Sequence, residues 1–156
     1  MCPIGRKPTD SSRFLHLVAD KWFHKTTGIA FRSNAIFCTS NKAEAVEYGT
    51  CYIMIPIGNF DYCWSPFVED MYRRFDIDYH RTINTNNMQS EAALAEEQRL
   101  RVLLSDSSYR SNTSIADFKR GISSGNEMMI HCDHYYLMTC YKKETNEVLG
   151  MLNETN

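Results

Sequence analysis

Apolar residues recur at helical spacing in three stretches of this chain and run together in several others. Phe14, Leu15, Leu17, Val18, Trp22 and Phe23 fall on one helical face behind the polar run Thr9, Asp10, Ser11 and Ser12. The spacing predicts an amphipathic helix over about 12–25, with ready caps before it and Gly28 just beyond its end. Ala92, Ala93, Leu94, Ala95, Leu100, Val102 and Leu103 behind Ser90 predict a second helix over 90–104. Ser114 caps a third, which runs to about Ile122 with Gly125 after it.

Between these helices the pattern is β-like. Ile29 to Cys38 reads as a strand that ends on Ile36 and Phe37. Asn41 is a cap for a short helix over 42–48, which Gly49 closes. Cys51 to Ile57 is apolar and partly β-branched, hence a buried strand ended by Pro56 and Gly58. Residues 59–66, N-F-D-Y-C-W-S-P, read as an aromatic loop, and Ser65-Pro66 as the start of a helix to about Phe75. Residues 76–88 are polar, with 82–87 the least regular, and 106–112 read as loop. Met128–Ile130 and Tyr135–Tyr141 read as two strands with a turn between them, and Glu147–Leu152 as a last strand. Helix, strands, helices, strands is the order of an α+β fold rather than of βαβ alternation.

At 156 residues with 43% hydrophobic positions the chain has enough apolar material for one core, so it is read as a single domain, 1–156. The net charge of −2 excludes a global positive field for nucleic acid or anionic membrane, though a local basic groove stays open. No segment approaches the roughly 20 apolar residues of a membrane span. The N-terminus lacks the apolar centre of a secretory signal, so a cytoplasmic protein is expected. In that compartment most of the six cysteines read as buried free thiols. Neither G-x-G-x-x-G nor G-x-x-x-x-G-K-[ST] occurs, which argues against a Rossmann or P-loop site.

Three clusters attract attention for chemistry. His131-Cys132-Asp133-His134 alternates across a strand, so this run alone makes no zinc site, although His80 or Cys63 would complete a pair; no metal is expected. Asp70, Asp76 and Asp78 are interrupted by Arg73 and Arg74 and read as a solvated face. Phe60, Tyr62 and Trp64 alternate, so they share one face if the segment is extended. Such a face stacks a nicotinamide, an adenine or a base, or else fills the core, the reading preferred for Trp64.

The remaining polar positions carry a resemblance. I-F-C-T-S-N at 36–41 is similar to the serine–threonine–serine strand of the arginine–serine–glutamate class of ADP-ribosyltransferases. A-E-A-V-E-Y-G at 43–49 looks like the short helix that follows it, and C-Y-I-M-I-P-I-G at 51–58 like the next core strand. G-N-E-M-M-I at 125–130 resembles the place where the catalytic glutamate precedes a strand. The resemblance implies an ADP-ribosyltransferase-like fold: a central, mostly antiparallel, split sheet flanked by helices. It implies NAD as substrate, Glu127 as the catalytic carboxylate, Ser40 (or Thr39) as the supporting hydroxyl, and Arg6 as the anchoring arginine with Arg32 second. Thr39, Tyr48 and Tyr62 join the arginines as residues expected to contact NAD. The family often has an acid two residues before the glutamate; here it is Gly125. An acceptor other than arginine, or plain NAD cleavage, is therefore open. The general look also resembles small phage-encoded proteins, which implies action in a host cytoplasm.

The implied partner is a macromolecular acceptor, protein or nucleic acid, met through 76–88. Each residue also has an ordinary account: Thr39-Ser40-Asn41 is a good strand-to-helix cap, Glu127 a solvent-facing strand residue and Arg6 a surface arginine. Two rival functions follow. One is a non-catalytic inhibitor or adaptor that binds a protein. The other is an RNA 2′-phosphotransferase-like or nucleic-acid-modifying enzyme, for which Arg6, Lys7, Arg13 and Arg32 would line the cleft.

Overall fold

The computed structural model describes residues 11–139. Ser12 Oγ accepts from Leu15 N to cap helix α1 (Arg13–Thr27), and Gly28, at φ 83, ends it in the left-handed conformation that glycine tolerates. One helical turn, α2 (Phe31–Asn34), stands where a strand was expected from residue 29, and strand β1 keeps only Ile36–Cys38. The reason is tertiary. Ser33 N and Oγ both donate to the Asp20 carboxylate, at 3.0 and 2.6 Å, and fasten the turn to α1. Asn41 caps α3 (Lys42–Glu47) as expected.

Strand β2 (Tyr52–Trp64) runs straight through the segment read as an aromatic loop. The alternation of Phe60, Tyr62 and Trp64 is a strand signal, and it outweighs the turn residues around it. Gly58, at φ 74, forms instead a β-bulge between Ile57 and Phe60. The helix expected over 66–75 shrinks to α4 (Met71–Phe75), capped by Asp70. A short helix α5 (Asp78–Thr82) lies in the polar stretch. Ser90 caps α6 (Glu91–Asp106), a two-residue strand β3 (Arg110–Ser111) interrupts the expected loop, and Ser114 caps α7 (Ile115–Ser124). Strand β4 (Met128–Thr139) is continuous, so the expected turn at 131–134 is absent. It is kept extended by pairing with β2 from Trp64↔Met128 to Tyr52↔Thr139. The expected strand at Glu147–Leu152 lies outside the described residues.

The sheet order is β1-β4-β2-β3, antiparallel throughout, and with the helices it makes a single small α+β domain. Its two faces serve separate cores. Phe14, Leu15, Val18, Phe23, Leu100 and Leu104 join Cys63 and Met129 on one face. Tyr62, Trp64, Met128, Ile130 and Cys132 pack with Phe60 and Phe118 on the other. Trp64 is thus a core residue. Cys63 and Cys132 are buried and Cys38 and Cys51 half-buried, all four as free thiols. Among the described residues no helix is long and apolar enough to cross a membrane.

Two buried polar hubs tie the helices down. His80 Nε2 lies 2.7 Å from Glu96 Oε1 and His80 Nδ1 lies 3.3 Å from Asp76 Oδ1, while Ser12 Oγ donates to Asp76 at 2.5 Å. Asp117, with 0% exposure, accepts from Trp64 Nε1 at 3.0 Å, Arg110 at 3.0 Å and Arg120 at 3.1 Å. One turn on, a Cβ at Gly121 would stand 3.0 Å from Trp64 Cδ2 and from Met128 Cε, so α7 rests directly on the indole.

Asp117→Ala leaves a buried indole N–H without an acceptor, and its expected cost is about 2–4 kcal/mol. Thermal unfolding checks it, and an unchanged midpoint would contradict the hub. Hydrogen bonds from Arg99, helped by His80 against burial, hold Glu96 below the usual carboxylate range. Burial alone lifts Glu97 and Asp117, but hydrogen bonds from Arg101 and Lys21, and from Trp64, Arg110 and Arg120, outweigh it and leave both lowered. A folded pKa below the unfolded one stabilises fully above the unfolded value and is lost as pH falls through the folded value. The unfolding midpoint is therefore expected to hold near neutrality and to drop once pH passes below about 4.

Candidate functional site

The anchored turn α2 leaves Arg32 pointing into the main core side of the sheet, where its side chain is only 8% exposed. Its guanidinium carbon sits 4.3 Å from the centre of the Phe37 ring on β1. Nη1 donates to Glu127 Oε1 at 3.2 Å. Glu127 keeps 17% of its side-chain surface open, so the pair lies at the rim of the core rather than within it.

Several local bonds fix where Glu127 stands. Gly125 closes α7 at φ 80. Asn126 Nδ2 donates to the Ser65 carbonyl at 2.9 Å, and Glu127 N donates to the Glu69 carbonyl at 2.7 Å. Thr39 Oγ1 donates to the Gly125 carbonyl at 2.5 Å, and Ser40 Oγ donates to the Ile122 carbonyl. The hydroxyls at the end of β1 therefore hold the backbone that delivers Glu127. They bond to main-chain carbonyls; β1 itself pairs with β4 up to Cys38↔Met128, directly beside Glu127.

The surroundings are mostly acidic. Tyr48 donates its hydroxyl to Asp70 Oδ2 at 2.6 Å, and burial followed by this bond raises its pKa, although its ring is exposed. Asp70 also accepts from Arg73 N at 2.9 Å to cap α4. Burial, then the Asp70 charge, pushes the Glu44 carboxyl up. Burial drives the Cys63 thiol well above its ordinary range, with the Glu127 charge adding to it, so the thiol stays protonated. The Tyr109 phenol is raised for the same two reasons, with Arg32 opposing.

Arg32, Glu127, Thr39 and Ser40 are thus brought together at one end of the sheet, with Tyr48 reaching its neighbour Asp70. Tyr62 is not among them. It adjoins Cys63 on β2 and, by strand alternation, faces the second core, where its hydroxyl donates to the Ser114 carbonyl at 2.8 Å. A shallow hollow of ≈ 490 Å³ on that side is lined by Gly58, Phe60, Tyr62, Ile115 and Phe118. Arg6 lies outside the described residues. Sequence reasoning missed Tyr109, which sits in a segment read as loop and whose only local signal is a lone aromatic among serines. Among the described residues no group of three or more His, Cys, Asp or Glu side chains is arranged to hold a metal ion. Compared with known proteins, the chain matches no family model, no curated protein and no solved structure.

Breaking a buried ion pair from one side strands the other charge. Arg32→Met is expected to destabilise the fold by about 3 kcal/mol, and Arg32→Met with Glu127→Gln by clearly less. Denaturant unfolding of the two single variants and the double variant measures the coupling; additive losses would show the pair to be energetically idle.

Proposed function

We propose that this protein is an NAD-dependent ADP-ribosyltransferase-like enzyme that modifies a macromolecular acceptor or cleaves NAD. The observation that supports the reading is the convergence of Glu127 with Arg32 and the Thr39–Ser40 hydroxyls at one end of the sheet, from two sequence-distant stretches, 32–40 and 125–127. The α+β architecture, with its antiparallel sheet packed on both faces, is compatible with an ADP-ribosyltransferase-like fold.

In the proposed reaction the bond between ribose C1′ and the nicotinamide nitrogen breaks, and its electron pair leaves with neutral nicotinamide. Positive charge grows on C1′ and the ring oxygen, and a carboxylate fixed nearby lowers the energy of that state more than it lowers the ground state. Glu127 is assigned this role. The acceptor's lone pair then forms the new bond to C1′, and its proton is released. Arg32 holds the carboxylate in one orientation. Thr39 and Ser40 act through the backbone as positioning residues. Arg6 is kept as the proposed phosphate anchor, and the exposed Tyr48 ring as a stacking surface.

A second observation favours a protein as the acceptor or as a binding partner. Beyond the reach of β1 and β3, the outer half of the β2–β4 ribbon exposes Tyr52, Ile55, Ile57, Tyr136, Leu137 and Met138. Residues 136–138 are consecutive, so apolar groups stand on both faces there. A partner held on this ribbon without NAD would support the adaptor reading instead.

Wild-type protein incubated with NAD labelled in the adenosine moiety is expected to release nicotinamide and to label an acceptor, or to give free ADP-ribose. Glu127→Gln, assayed well below its unfolding midpoint, is expected to slow nicotinamide release on the order of 100-fold or more. Equal rates for a folded Glu127→Gln variant would remove the assignment.

A further inference from the structure

The chain from Ser65 to Glu69 serves two places at once. Its carbonyls hold the backbone of the candidate acid: Ser65 O accepts from Asn126 Nδ2 at 2.9 Å, and Glu69 O accepts from Glu127 N at 2.7 Å. Between these two anchors Phe67 carries its ring into water, 69% exposed, while the next residue, Val68, is buried. The turn is pinned. Phe67 N donates to Ser65 Oγ at 3.0 Å, and that sealed hydroxyl donates to the Ser107 carbonyl at 2.5 Å. A lone exposed ring needs no account. This one borders a hollow of ≈ 550 Å³ whose other lining residues are Arg74, Phe75, Leu103, Asp106 and Ser107. Phe67 is two residues, at most about 7 Å of chain, from Glu69, so the hollow adjoins the segment that positions Glu127.

The lining restricts what fits. The exposed Phe67, the buried Phe75 and the half-buried Leu103 give the hollow an apolar wall and floor. Two opposite charges line it as well. Arg74 stands in the last turn of α4, and Asp106 is the last residue of α6. There the negative end of the helix dipole adds to the Asp106 charge, and no basic residue in that last turn offsets it. Neither side chain has a hydrogen-bond or ion-pair partner among the described residues. A guanidinium only donates and a carboxylate only accepts. An extended peptide offers the matching pair, a C=O and an N–H, beside each of its side chains. A phosphodiester strand fits poorly: Asp106 and the α6 carbonyls repel phosphate, and one arginine falls short of the positive groove such a strand needs. We propose that this hollow is a docking subsite for an extended protein segment, with an aromatic or aliphatic side chain seated against Phe67, Phe75 and Leu103 and its backbone held by Arg74 and Asp106. The subsite deepens the enzymatic reading and rests on it for its purpose: it makes the acceptor a protein rather than a nucleic acid.

Binding is tested first without NAD. N-acetyl-phenylalanine amide, N-acetyl-leucine amide, N-acetyl-glutamate amide and the dinucleotide TpT are titrated separately into the isotope-labelled full chain, and backbone amide shifts are followed by NMR. The phenylalanine and leucine compounds are expected to move the signals of residues 67, 74–75 and 103–107 saturably, with Kd on the order of 1 mM. The glutamate compound and TpT are expected to bind more weakly. Phe67→Ala and Arg74→Ala, both at exposed side chains, are expected to keep the wild-type unfolding midpoint and to weaken the phenylalanine compound about tenfold. No saturable shift at these residues, equal affinity in both variants, or tighter binding of TpT would each overturn the subsite. Its link to the reaction is read separately. With labelled NAD and a cell extract as acceptor pool, Phe67→Ala is expected to lower protein labelling about tenfold while acceptor-free nicotinamide release stays at the wild-type rate; equal labelling would overturn the acceptor role. Amide binding by a wild-type protein that releases no nicotinamide would remove the enzymatic reading and leave the peptide subsite standing.

Discussion

A guanidinium sealed at the edge of an apolar core must be answered by a carboxylate, and that requirement organises this molecule. Arg32 reaches Glu127 only because α2 is fastened to Asp20 at one end and leads into β1 at the other. Glu127 meets it only because Ser40 holds the last turn of α7, the helix stops at Gly125, and the chain is clamped by Thr39, Ser65 and Glu69 before β4 begins. Three stretches separated by tens of residues, 32–40, 65–69 and 125–127, are thus committed to one small volume. Burying a charge is costly, and the cost enforces a unique arrangement: a slipped β1–β4 register would separate the hydroxyls from the carbonyls they hold.

The two faces of the sheet divide the labour. One carries the aromatic and aliphatic mass of α1 and α6 together with the ion pair at its margin. The other is a smaller core governed by Asp117, which gathers the Trp64 indole and two arginines under α7. Tyr62 shows how strict the division is. One step along β2 from Cys63, it belongs wholly to the second core and spends its hydroxyl on the start of α7.

What could be read from the chain follows from locality. The helices at 13–27, 91–106 and 115–124 were legible because cap and periodicity lie within a few residues of each other. The long strands were not. Residues 59–64 carry loop-like polar residues, and 131–134 carry histidines and an aspartate; both stay extended because each is the other's pairing partner across more than sixty residues. The candidate site divides in the same way. Glu127, Ser40, Thr39 and Arg32 stand out by type and order. Tyr109 and Cys63 do not, since their relevance comes from where packing carries them. That Tyr62 and Cys63 point apart was implicit in strand alternation, but only once 59–64 was known to be a strand.

Gly121 gives the arrangement a geometric gauge. With no side chain there, α7 lies flush on the Trp64 indole and Met128, and the helix terminus that leads to Glu127 is set at a fixed height above the sheet. Any larger residue would act as a shim, lifting the terminus by a fraction of an ångström and passing that offset along Gly125 and Asn126 to the carboxylate. A position with no side chain of its own thereby calibrates the reach between acid and guanidinium, and tolerance to change at residue 121 should be as narrow as at the charged pair itself.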